Sequence, residues 1–191
     1  MSYLELPLER FLEILAAREP VPGGGGAAAV SVALGAALAA MAARYSNGRL
    51  DDAGELARKA DELRVEVQSL IEKDAAAYSR VLEIYRSDER SGLGEALSVA
   101  ADVPLSIAVA GAAVAELGVV IAEHGNPNLR GDAVTAVLLA ESGARAASLL
   151  VNLNLDLAHI EDERRARTRD CVAAAERARQ RVLVDLTGIA G

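Results

Sequence analysis

Asp74 sits where the local pattern calls for an apolar side chain. Ala60, Leu63, Val67, Leu70, Ala77, Val81 and Ile84 recur in steps of three and four, tracing one buried stripe along a helix, and Asp74 falls on that stripe. A bare carboxylate in an apolar interior is prohibitively costly. Asp74 therefore either lines a cavity or accepts a hydrogen bond from a neighbouring helix end. In a cavity, burial would raise its pKa towards the range useful for proton transfer, the property of a general acid or base.

A second candidate is Gly23-Gly24-Gly25-Gly26, which follows Pro20-Val21-Pro22. No Gly-Lys-Ser/Thr follows it, as a phosphate-binding loop requires, and the spacing is not that of a dinucleotide fingerprint. The run can bend the chain into a helix start, where free amides receive an anion or a developing oxyanion. A flexible turn that permits close helix packing explains the same residues. A third candidate is the turn through Asn126, Asn128 and Asp132, in which Asp132 is expected to be an N-cap. Asn154 lies among Leu153, Leu155 and Leu157, and an amide in such company needs partners. His124 and His159 form no metal-ligand pattern, and no Gly-x-Ser-x-Gly nucleophile elbow occurs.

The elements that must hold these groups are helices. Expected helices cover residues 8–18, 26–45, 51–86, 95–101, 104–123, 132–159 and 162–186, with Pro104 either opening the fifth or kinking a continuous one. No segment alternates as a half-buried strand does. Hydrophobic residues make up 52% of the 191 and aromatics only 3%, so the core is Ala, Leu and Val, which suits close helix packing and not a sheet. The expectation is an all-α, multi-helix antiparallel bundle in one domain over residues 1–191, around a central, buried Ala/Gly-rich helix. That helix has no charge over residues 26–43, but alanine gains little from lipid, so burial in protein is expected and no membrane span.

The net charge of −8 argues against nucleic acid as a partner. The lone Cys171 cannot form an internal disulfide, and the first ten residues lack a signal pattern, so a cytoplasmic setting is expected. The arginines of residues 161–181 alternate with acids. Glu161/Arg165 and Glu163/Arg167 at i,i+4 read as a solvated ion-pair face, and Glu141/Arg145 as a further salt bridge.

The segment from Pro20 through Gly26 to Val30, followed by Leu34-Gly-Ala-Ala-Leu, resembles the opening of the cyclodeaminase/cyclohydrolase family. Three further segments agree in order: Ile71-Glu-Lys-Asp-Ala-Ala-Ala-Tyr, Val103-Pro-Leu, and Gly125-Asn-Pro-Asn through Asp132 to Asn154-Leu. The resemblance implies an all-α homodimer acting on a folate-bound one-carbon group, with no tightly bound cofactor and no metal. By position it makes Asp74 and Asp132 the catalytic acids. It makes Gly23, Gly24, Gly25, Gly26, Asn126, Asn128 and Asn154 substrate-binding. Three positions depart from the family pattern: Gly26 and Gly131 stand where serine is usual, and Leu150 where asparagine is frequent. The implied reaction is hydrolysis of 5,10-methenyltetrahydrofolate to 10-formyltetrahydrofolate. The alternatives are formimidoyltetrahydrofolate cyclodeamination and, in another class, a non-catalytic folate-binding or assembly protein.

Overall fold

The computed structural model describes residues 2–187, with side chains to residue 184. Among them there are seven α-helices and no strand, as the apolar periodicity predicts: α1 (Leu8–Ala16), α2 (Gly24–Arg44), α3 (Ala53–Arg86), α4 (Leu93–Ala100), α5 (Asp102–His124), α6 (Arg130–Ala158) and α7 (Glu163–Thr187). Short 3₁₀ turns cover Tyr3–Glu5 and Pro127–Leu129.

Small residues set the spacing of the bundle. A Cβ on Gly35 of α2 would lie 2.8 Å from the Ala136 carbonyl oxygen of α6, and one on Gly111 of α5 would lie 2.9 Å from that of Ala140. At Ala140, α6 is thus clasped between α2 and α5, with backbone against backbone. The contacts also give direction. Gly24 of α2 lies beside Leu150 of α6 and Gly35 beside Ala136, so these helices run antiparallel. Gly94 faces Ala158, Gly111 faces Ala144 and Gly118 faces Ala133, so α4 and α5 together run antiparallel to α6. The turn at residues 45–52, with Gly48 at φ 81°, reverses α2 into α3. Arg44 then pairs with Asp61, while Gly25 meets Asp74.

Helix α2 is walled by α3, α5 and α6. Its remaining face is not shielded: Leu34 is 53% exposed. By length and composition, Gly24–Arg44, Leu93–His124 and Pro127–Ala158 could each cross a bilayer, and more than half of the most apolar window of each is buried inside the fold.

Several local expectations need correction. Asp132 is not an N-cap, because α6 begins at Arg130. The Asn126 side chain caps the preceding 3₁₀ turn by accepting from the Asn128 amide at 3.0 Å, and that turn feeds straight into α6. Helix α2 starts at Gly24, so Gly24, Gly25 and Gly26 form its first turn and not a loop. The α7 segment is not simply solvated. Arg164 is 16% exposed and bonds Asp162, Asp102 and the Ser98 carbonyl, clamping α7 to the α4–α5 junction. Glu161/Arg165 and Glu141/Arg145 form as expected. Among the described residues Glu163/Arg167 is not an ion pair.

Gly35→Ala places a methyl group against the α6 backbone and is expected to cost about 1–3 kcal/mol of stability, the usual penalty of overpacking. Urea unfolding checks this, and an unchanged midpoint would contradict the close approach.

Candidate active site

The α2–α3 crossing creates a site in which Asp74 replaces a side chain that α2 lacks. A Cβ on Gly25 would lie 2.1 Å from Asp74 Oδ1, so the carboxylate fills the space above a bare backbone. The Gly26 amide lies beside Asp74 and favours its charged form. First-turn amides have no acceptor within their own helix, which makes them ready donors to a carboxylate. Asp74 therefore lines a cavity while lying against the first turn of a helix.

That cavity measures about 360 Å³ and is lined by Pro20, Val21, Gly23, Gly24, Gly25, Asp74, Tyr78, Ala100, Leu150, Leu153, Asn154 and Leu157. Four chain segments meet there, one of them the end of α4 at Ala100. The α1–α2 turn supplies a floor, α3 supplies Asp74 and, one turn on, Tyr78. The last turns of α6 supply the leucines and Asn154. Among the described residues Asp74 is the sole carboxylate of the lining, and no basic side chain joins it. Burial pushes its carboxyl above the usual carboxylate range, against a smaller opposing pull from the Gly26 amide. Asn154 donates from Nδ2 to the Ala100 carbonyl at 3.0 Å. A larger groove of about 690 Å³ lies between α3 and α4, lined among others by Arg80, Glu83, Glu89 and Glu95. None of the candidate residues lines it.

Asp132, Asn126 and Asn128 do not join this site within one chain. Asp132 and Asn154 are separated by 22 residues of α6, which is about 33 Å at 1.5 Å per residue. Asn126 is occupied in holding the turn: its backbone amide donates to Ser46 Oγ at 2.8 Å, and its Nδ2 donates to the Tyr45 carbonyl at 3.1 Å. Asn128 is exposed and Asp132 half-buried.

A sequence profile of the formiminotransferase-cyclodeaminase family matches residues 7–175. The chain belongs to this family. It is 37% identical to the methenyltetrahydrofolate cyclohydrolase of Methylorubrum extorquens, over 77% of this chain and 78% of that protein. It is 31% identical to the formimidoyltransferase-cyclodeaminase of Mus musculus over 81% of this chain, but spans only 31% of that longer protein. The solved formiminotetrahydrofolate cyclodeaminase of Thermotoga maritima superposes with a TM-score of 0.86 at 30% identity, covering 98% of this chain and 99% of that one.

Membership gives the departures a geometry. A Cβ at Gly26 would lie 3.3 Å from Pro22 Cβ, so glycine lets the α1–α2 turn close tightly against the helix. Leu150 stands over Gly24 and makes that wall apolar. A Cβ at Gly131 would meet nothing within 4 Å, at the far end of α6. The sequence reading did not single out Tyr78, Leu153, Leu157 and Ala100 as wall residues. Helical register held part of the signal, since Tyr78 follows Asp74 by four, and Leu150, Leu153, Asn154 and Leu157 share one face of α6.

A raised pKa links Asp74 to stability. The folded state favours its protonated form, so its stabilising contribution is present below the ordinary carboxylate range and is lost as pH rises through the elevated folded value. Asp74→Asn keeps an acceptor for the Gly26 amide. It is expected to melt higher than the parent at neutral pH, with the gap narrowing on acidification. Thermal midpoints measured across pH check this, and a lower midpoint for the variant at pH 8 would contradict it. Gly25→Ala must displace the carboxylate and is expected to lower turnover at least tenfold, which a steady-state assay would read.

Proposed function

We propose that this chain hydrolyses 5,10-methenyltetrahydrofolate to 10-formyltetrahydrofolate, with Asp74 as the general base and acid. The observation that carries the reading is a single carboxylate, raised in pKa and set against the first turn of α2, in a cavity whose described lining is otherwise uncharged. The bridging carbon of the substrate is an amidinium cation, and a lone carboxylate complements it. Water adds to that carbon and gives a proton to Asp74, leaving a neutral carbinolamine. The hydroxyl proton departs, the carbonyl forms, the bond from carbon to N5 breaks, and N5 takes up the proton from Asp74. One proton is released overall. First-turn amides of α2 lie beside Asp74 and can stabilise charge on the developing oxygen. The carbon arrives activated, so the reading includes no metal and no tightly bound cofactor.

The similarity to a cyclodeaminase over nearly the whole chain supports a second reading, in which N10 attacks the formimino carbon and ammonia leaves. Asp74 then serves as proton donor and acceptor. A folate-binding or assembly role without catalysis is the third outcome the assay separates. Under the enzymatic readings the protein works as a cytoplasmic homodimer, without nucleic acid or membrane. The exposed apolar side chains Leu34 of α2 and Leu149, Leu153 and Leu157 of α6 support this: a second copy seated on them would also cover the cavity mouth.

Loss of methenyltetrahydrofolate absorbance and release of ammonia from formiminotetrahydrofolate, measured in parallel, decide between the reactions. Asp74→Asn is expected to fold and to lower hydrolysis about 10²–10⁴-fold, the usual worth of a positioned acid or base. Hydrolysis at the parent rate would remove Asp74 from the mechanism. Light scattering at micromolar concentration is expected to give a dimer mass.

A further inference from the structure

Pro104 lies four residues after Ala100, a wall residue of the cavity. In a helix continuing through residue 104, the Ala100 carbonyl would accept from the amide of residue 104, and proline has none. Helix α4 ends at Ala100, and α5 opens at Asp102 with Pro104 in its first turn. Two other carbonyls of the junction find partners. Ser98 accepts from Arg164 at 2.7 Å and Ala101 from the Leu105 amide at 3.2 Å. Ala100 and Pro104 are both buried, so water is a poor substitute and the freed carbonyl needs a donor. Asn154 Nδ2 supplies it, at 3.0 Å.

This bond also fixes which way the amide faces. A carbonyl only accepts, so the NH₂ group must face Ala100, and Oδ1 is left without a partner among the described residues. Asn154 lines the cavity that holds Asp74. We propose that Pro104 is a positioning residue: by leaving the Ala100 carbonyl without its helical donor, it holds the Asn154 amide with Oδ1 presented as an acceptor to substrate. The inference rests on the folate reading, because the pyrimidine edge of a folate carries ring N–H and exocyclic amine donors that such an acceptor recognises. It adds to that reading a reason for proline at 104 and a direction for the amide at 154.

Pro104→Ala tests it. Alanine is a strong helix former and restores an amide that competes for the Ala100 carbonyl, which releases Asn154 without opening a large void. With 5,10-methenyltetrahydrofolate as the probe, KM is expected to rise about three- to tenfold, the range of one hydrogen bond, with kcat within about twofold. Asn154→Ala is expected to raise KM similarly, and Pro104→Ala to add nothing in the Asn154→Ala background. A purely structural role for Pro104 would instead lower the melting temperature and add to the effect of Asn154→Ala. A second readout needs no folate. The side-chain amide protons of Asn154 should be protected from exchange in the parent protein and lose that protection in Pro104→Ala. An unchanged KM, additive effects or unchanged amide signals would overturn the proposal. A parent protein that neither binds nor turns over the folate would overturn the substrate reading, while the amide signals still decide the link between Pro104 and Asn154.

Discussion

The architecture depends on backbone-to-backbone contact between helices that carry almost no side chain where they touch. Around Ala140, α6 approaches α2 at Gly35 and α5 at Gly111 so closely that a methyl group would collide with a carbonyl. Dispersion contacts accumulate over such surfaces although each side chain is small, and the density of the interior makes each added carbon felt. The same condition builds the site. Because Gly25 has no Cβ, α3 can bring a carboxylate against the first turn of α2. A single methyl group there would displace Asp74 from the first turn of α2.

The carboxylate is in tension with the fold. Burial disfavours its charge more than the Gly26 amide favours it, so at neutral pH Asp74 is a destabilising element within a well-packed bundle. An apolar residue would continue the α3 stripe more comfortably. That a carboxylate stands there instead, in the wall of a cavity and one helical turn before Tyr78, is the physical reason to place chemistry at this position.

Polar groups elsewhere in the bundle relieve defects that the helices create. Asn126 joins the end of α2 to the start of α6, through Ser46 and Tyr45. Arg164 serves the α4–α5 junction from outside, and Asn154 serves it from the cavity side. In each case an amide or guanidinium meets backbone that a helix end or a proline has left unpaired. The two asparagines look alike in sequence, each near a helix end, yet one faces a cavity and the other closes a turn.

Much of this was legible in the chain by itself. Small-residue composition and three-to-four periodicity specified helices, and the break in the α3 stripe singled out Asp74, because burial preference is a local property that periodicity exposes. The proline–glycine run marked the start of α2 for the same reason: backbone freedom is written in residue type. Other features were not local. The expected helix over residues 132–159 already put Asp132 and Asn154 near its opposite ends, but only the packing shows that the Asn154 end, and not the Asp132 end, meets the Asp74 cavity. The walls at Leu150, Leu153 and Leu157 became a cavity only when antiparallel packing brought the end of α6 to the start of α2. The partner of Asn154 is a carbonyl 54 residues away, freed by Pro104. Hydrogen-bond partners across helices depend on register and crossing, and these are set by the packing of whole surfaces and not by any one segment of sequence.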